Sequence, residues 1–142
     1  MQEYYDTRAT EYDEWYLGHG KFAARERPGW DAAVRALEDA VASLPPACTL
    51  DVACGTGFLT RHLAGEVTGL DQSERMLAIA QSHIPYAAFV QGDATQLPFG
   101  DDACDRVFTG HFYGHLEPDA RDTFLAQAHR VARELVVPVM ST

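Results

Sequence analysis

The chain has 142 residues, 46% hydrophobic and 23% charged, and its 11 Lys and Arg against 21 Asp and Glu leave a formal net charge of -10. This describes one globular domain with a sizeable core, and its acidic field, with no basic cluster to offset it, argues against a nucleic-acid partner. Three cysteines, Cys48, Cys54 and Cys104, fit neither a disulfide framework nor a zinc site, so no metal is expected; with no secretion signal and no stretch of membrane-spanning length, a soluble cytoplasmic protein without a membrane partner is expected.

In chain order, most of Tyr5, Tyr12, Trp15 and Tyr16 fall along one helical face between about Tyr4 and Tyr16, and a glycine- and charge-rich loop follows from Gly18 to Gly29. Trp30, Ala33, Val34, Leu37, Val41 and Leu44 keep helical spacing until Pro45-Pro46 stops the helix. A short apolar run, about Thr49 to Ala53, reads as the first strand. It runs through Cys54-Gly55-Thr56-Gly57 into a short helix expected from about Gly57 to Ala64. The second strand, Glu66 to Asp71, ends on an acid about twenty positions after Asp51, and a helix from Glu74 to His83 follows, with Ser73 the better-placed N-cap and Met76, Leu77, Ile79 and Ala80 inward.

Ala87 to Gln91 reads as the third strand, followed by Gly92-Asp93-Ala94, and the fourth lies within Asp102 to Thr109, with a loop from Gly110 to Leu116 beyond it. Glu117-Pro118-Asp119 opens a helix to about Val131 that turns Phe124, Leu125 and Ala128 inward, and Glu134 to Met140 reads as a fifth strand. Strands alternating with helices predict an α/β fold with a parallel sheet, whose ligands bind at the carboxyl ends of the strands. Glycines in the first turn let the backbone approach a ligand closely, which makes Asp51, the turn and Asp71 the first candidates for a polar cofactor site.

The dinucleotide-binding turn asks for Gly-x-Gly-x-x-Gly, but here Gly55 and Gly57 stand two apart with no third glycine at the required offset. The segment Leu50-Asp51-Val52-Ala53-Cys54-Gly55-Thr56-Gly57 instead resembles the first motif of class I S-adenosylmethionine (SAM) dependent methyltransferases, Asp/Glu-x-Gly-x-Gly-x-Gly, with Ala53 in place of the first glycine. Gly69-Leu70-Asp71-Gln72-Ser73 followed by Met76-Leu77, then Gly92-Asp93-Ala94 with Leu97-Pro98-Phe99, match further motifs in order. Tyr5-Asp6 through Tyr12-Asp13 is similar to the family's opening helix.

The resemblance implies a Rossmann-like doubly wound sheet in strand order 3-2-1-4-5, with residues 1–46 as an N-terminal helical lid and scaffold and 47–142 as the SAM-binding core. It implies a methyl transfer from SAM, leaving S-adenosylhomocysteine, to a small-molecule acceptor. In that picture Asp51, Ala53, Cys54, Gly55 and Gly57 surround the methionine part, Asp71 accepts from the ribose hydroxyls, Gln72 and Met76 are neighbours, and Asp93 and Ala94 hold the adenine. Tyr12 closes from the lid, and Gly110 opens the loop whose His111, Tyr113 and His115 are candidate proton acceptors or substrate contacts, His115 being read first as helix-positioning from its His-Leu pair with Leu116. The runner-up is a SAM-binding module without catalysis. The family's last two strands are missing, so the fifth strand is expected to be a bare edge, belonging to a fragment or covered by a second copy as a homodimer.

Overall fold

The structure is a computed structural model that describes residues 29–110 and 112–138. The aromatic helix expected over 4–16, with Tyr12, and the candidate His111 lie outside the described residues.

Five parallel strands form one sheet in the order β3-β2-β1-β4-β5: β1 (Thr49–Val52), β2 (Val67–Asp71), β3 (Ala88–Gln91), β4 (Arg106–Phe108) and β5 (Glu134–Val136). This is the expected order, and the register sets Asp51 level with Gly69 on β2 and with Phe108 on β4. Every residue of β1 and of β4 is buried, as befits central strands covered on both faces.

The helices are α1 (Trp30–Ala42), α2 (Glu74–His83) and α3 (Pro118–Val131). α1 turns Val34, Leu37 and Val41 onto Phe58, Leu59, Leu63, Val67 and Phe108. α3 turns Phe124, Ala128 and Val131 onto Leu50, Val52, Leu70 and Val107 on the opposite face, which makes the sheet doubly wound. Leu125, expected inward, is 37% exposed, and Val131 takes the buried place. From Phe124 the helical period returns to the same face after four and seven residues, at Ala128 and Val131, whereas Leu125 lies about 100° away. Ser73 caps α2 as expected, its hydroxyl accepting from Met76 N–H at 3.2 Å.

The helix expected from Gly57 to Ala64 is not formed; a single 3-10 turn, Thr60–His62, stands in its place. Phe58, Leu59 and Thr60 are all buried, and three consecutive inward residues cannot lie on one face of an α-helix. The Thr60 hydroxyl donates to Asp51 at 2.6 Å, which ties the segment to β1.

At the amino ends of the strands, Arg106 is buried and donates through Nε to Glu134 at 2.7 Å and through a terminal nitrogen to the Pro45 carbonyl at 3.1 Å. These bonds join β4 to β5 and to the chain after α1. Arg130 of α3 donates to the carbonyls of Leu97 and Phe99 at 3.0 and 2.7 Å, which fastens the loop after β3 to the helix layer.

Candidate cofactor cleft at the strand switch point

The chain leaves β1 in opposite directions toward β2 and toward β4, and the carboxyl ends of these strands frame a cleft at that switch point. The space between its walls, including the open mouth, is about 940 Å³. From β1 and its turn come Asp51, Ala53, Cys54, Gly55 and Thr56; from β2 and the start of α2 come Leu70, Asp71, Gln72 and Met76. Gly92 and Ala94 line it beyond β3, and Phe108, Gly110, Phe112 and His115 beyond β4, with Phe58 and Leu59 closing the side nearest the 3-10 turn.

The turn is built by left-handed backbone. Gly55 lies at φ 58 and Gly57 at φ 87, while Ala53 holds φ 60 without a glycine's freedom. Left-handed backbone costs an L-residue about 1–2 kcal/mol, so Ala53 is a strained residue in the cleft wall. The two glycines serve different ends. A Cβ on Gly55 would stand 3.7 Å from Met76 Sδ at the cleft, whereas one on Gly57 would meet Ile84 Cδ1 at 2.8 Å and Ala80 Cβ at 3.5 Å. Gly57 therefore permits close packing of α2 and does not line the cleft.

Asp71 is 8% exposed, and its two oxygens accept from Gly55 N–H at 3.0 Å and Ser73 N–H at 2.9 Å. These bonds couple the glycine turn to the start of α2 through one carboxylate.

Asp51 is 2% exposed. Burial pushes its carboxyl up to about 7; the Thr60 hydrogen bond opposes the rise and the Asp71 charge adds to it. Cys54 is raised too, by burial first and then by Asp51 and Asp71, which makes it a packing thiol and not a nucleophile.

Nine candidates thus stand together in the lining: Asp51, Ala53, Cys54, Gly55, Asp71, Gln72, Met76, Ala94 and Gly110. Three do not. Besides Gly57, Asp93 is exposed, with one oxygen accepting from both the backbone N–H and the hydroxyl of Thr95 at 2.8 and 2.7 Å in a local turn. Tyr113 packs its ring 6.4 Å from that of Phe124, with the Arg121 guanidinium 5.4 Å over it, and is not among the lining side chains. His115, read from the sequence as helix-positioning with a substrate contact as the alternative, lines the cleft. Thr56, Phe58, Leu59, Leu70, Gly92, Phe108 and Phe112 were missed as lining residues, since only the course of the turn and the side-by-side placing of the strand ends bring them there.

A doubly wound sheet with a glycine turn after β1 and an acid closing β2 defines the class of α/β domains that bind adenosyl cofactors at the switch point. Residues 49–134, more than half of the chain, match the family described as "Methyltransferase domain", and the chain belongs to that family. It is 41% identical over 116 residues to dTDP-3-amino-3,6-dideoxy-alpha-D-glucopyranose N,N-dimethyltransferase of Streptomyces fradiae, covering 77% of this chain and 44% of that protein. It is 38% identical over 95 residues to the demethylmenaquinone methyltransferase of Desulfitobacterium hafniense, covering 58% of this chain and 36% of that one. Among solved structures, a complex of DhpI with SAM and HEP aligns over 95% of this chain and 61% of its own, with TM-score 0.72 and 34% identity. A SAM-dependent methyltransferase of Thermotoga maritima, at 22% identity, shares the fold with TM-score 0.74, covering 96% of this chain and 60% of that one. The chain therefore spans less than half the length of these two curated relatives.

Proposed function

We propose that the chain is the cofactor-binding part of a SAM-dependent methyltransferase acting on a small-molecule acceptor. The observation that carries this is the Asp71 carboxylate, which closes β2 in the cleft while holding the N–H of Gly55 from the glycine turn. The surroundings fit an adenosyl group: bare backbone at Gly55, apolar walls from Leu70, Met76 and Ala94, and an acid placed for a diol. A non-catalytic module is the lesser reading, because the related proteins named above are methyltransferases and the cleft extends past β4 into aromatic side chains.

When bound, SAM supplies a methyl group on a sulfonium, ready for in-line displacement by an acceptor lone pair. The chain's own residues have to hold the cofactor, align the acceptor and exclude water. Asp71 binds the ribose, with Gln72 and Met76 beside it, Asp51 and the turn lie against the methionine end, and Asp93 and Ala94 take the adenine, Asp93 after leaving its turn with Thr95. Phe58, Phe108 and Phe112 keep the acceptor side dry, and His115, which lines the cleft, is the first candidate to take a proton where the acceptor must lose one, with His111 proposed beside it from the sequence alone. Tyr113 anchors this loop on Phe124, and Tyr12 is proposed as a cofactor neighbour on the sequence resemblance alone.

No described helix is long and apolar enough to cross a membrane. We further infer a cytoplasmic protein and a covered β5 edge, where Leu135 is 36% exposed, the cover being further chain or a second copy. Sedimentation at high concentration tests the second copy, and a persistent monomer removes it.

Titration with S-adenosylhomocysteine tests the site. Micromolar binding that weakens about tenfold or more in Asp71→Ala is expected, as for loss of hydrogen bonds to a charged acceptor. A folded chain that binds with equal strength with and without Asp71 overturns the assignment.

A further inference from the structure

His115 lines the cleft, yet among the described residues no hydrogen bond holds its imidazole, so its aim is set by the backbone that carries it. That backbone is a single 3-10 turn, Tyr113–His115, in which the His115 N–H donates to the Phe112 carbonyl at 3.0 Å. The hydrogen bonds of a 3-10 turn are poorly aligned, and it keeps its shape only with help from its neighbours. Phe124 of α3 supplies part of that help, its ring lying 6.0 Å from the ring of Phe112 and 6.4 Å from that of Tyr113. Arg121, in the first turn of the same helix, supplies the rest. A terminal nitrogen of its guanidinium donates to the Gly114 carbonyl at 3.2 Å, and the guanidinium carbon stands 5.4 Å over the Tyr113 ring. Its Nε, however, is buried without an acceptor. A buried donor left unpaired weakens a fold, whereas Gly114 is exposed and water would serve its carbonyl if the arginine were absent. For stability Arg121 is a poor choice, and what it does accomplish is to hold the two residues that precede His115.

We propose that Arg121 is a positioning residue for His115: by clamping Tyr113 and Gly114 to the first turn of α3, it holds the His115 imidazole toward the ligand in the cleft. This rests on the reading of the cleft as the cofactor and acceptor site given above. Arg121 is not among the lining side chains, so it acts through the loop and not on the ligand. Arginine suits the task, because a planar guanidinium can stack on an aromatic face while one of its edge nitrogens donates to a neighbouring carbonyl. A group that takes a proton from an acceptor has to sit within hydrogen-bond reach of it, and a loop that drifts by about an ångström takes it out of the reaction. The role has a signature that separates two quantities a merely structural residue moves together. Loss of the guanidinium leaves the fold as stable as before, or more so, while His115 loses its fixed place.

The test is Arg121→Met, which keeps a long apolar stem and removes every donor. Imidazole resonances of the histidine-labelled chain are followed by NMR, with the His115 signal assigned through His115→Gln. In the parent, the His115 signal moves when the cleft is saturated with S-adenosylhomocysteine. In Arg121→Met that movement is expected to be lost. The urea midpoint is expected to stay within about 0.3 M of the parent or to rise, and the affinity for S-adenosylhomocysteine to change by less than about threefold. A His115 signal that still moves as in the parent overturns the proposal. So does a midpoint or an affinity lowered beyond those limits, or a variant that fails to fold, since each marks Arg121 as structural. A parent that binds S-adenosylhomocysteine while the His115 signal stays still also overturns it, and leaves the cofactor assignment standing. A folded parent that binds no S-adenosylhomocysteine overturns the cofactor assignment, and the proposal with it.

Discussion

The two glycines of the turn separate packing from ligand space, and substituting each by alanine exposes the division. Gly57→Ala places a methyl 2.8 Å from Ile84 Cδ1 on a backbone at φ 87. The left-handed conformation alone costs about 1–2 kcal/mol, and overpacking adds about 1–3 kcal/mol. Because the closest atom is the far end of Ile84 and can turn aside, the total falls near 2–3 kcal/mol. With a urea slope of about 2 kcal/mol/M, the unfolding midpoint drops by about 1–1.5 M. Gly55→Ala meets nothing closer than Met76 Sδ at 3.7 Å, so it carries the backbone term without the overpacking. Its midpoint falls by only about 0.5–1 M. Its methyl stands in the cleft wall, however, and weakens S-adenosylhomocysteine binding more than its loss of stability does. Urea unfolding followed by circular dichroism, with ligand titration of each folded variant, gives both numbers. A Gly57→Ala midpoint within about 0.3 M of the parent, or a Gly55→Ala variant less stable than Gly57→Ala, refutes the reasoning.

Ala53→Gly relieves the strained residue in the same turn and is expected to stabilise the chain by about 1 kcal/mol, read as a raised urea midpoint; a lowered midpoint shows the backbone there is not left-handed. Ser73→Ala removes the hydroxyl that accepts from Met76 N–H and should cost about 1 kcal/mol in the same assay. Asp51 gives stability a pH dependence of definite sign. Its folded value, about 7, lies above the ordinary 3.8, so between the two the native state holds more protons than the unfolded state, and its contribution falls as pH rises through that window. Thermal melts of Asp51→Asn should lose this downward slope between about pH 4 and 7, and a slope unchanged from the parent excludes Asp51 as its source.

Much of the frame was legible because its signals are local. Pro45-Pro46, the glycine turn, the Ser73 cap and Pro118 punctuate the chain where the elements begin and end, and strands rich in small apolar residues between them leave few topologies open. The misses have a common physical origin in tertiary contacts. The segment after Gly57 has enough apolar residues for a helix, but burying Phe58, Leu59 and Thr60 together, with Thr60 bound to Asp51, decides for a 3-10 turn. Gly57 and Gly55 look alike in the motif, and only the approach of α2 separates their roles. Tyr113 and His115 lie two apart in one loop, yet Phe124 and Arg121 hold the first while the second lines the cleft, and no sequence periodicity distinguishes them.

The short 3-10 turn after β1 has an electrostatic consequence. Folds that grip a pyrophosphate at this place aim the N-terminus of a long helix at it, where aligned peptide dipoles sum to about half a positive charge. Three residues of 3-10 helix align too few peptides to build that field, and the neighbouring side chains, Asp51 and Asp71, are acids. Among the described residues, this corner of the cleft therefore lacks the helix-dipole grip that a pyrophosphate needs, which leaves it to a ligand held by backbone, apolar walls and a carboxylate.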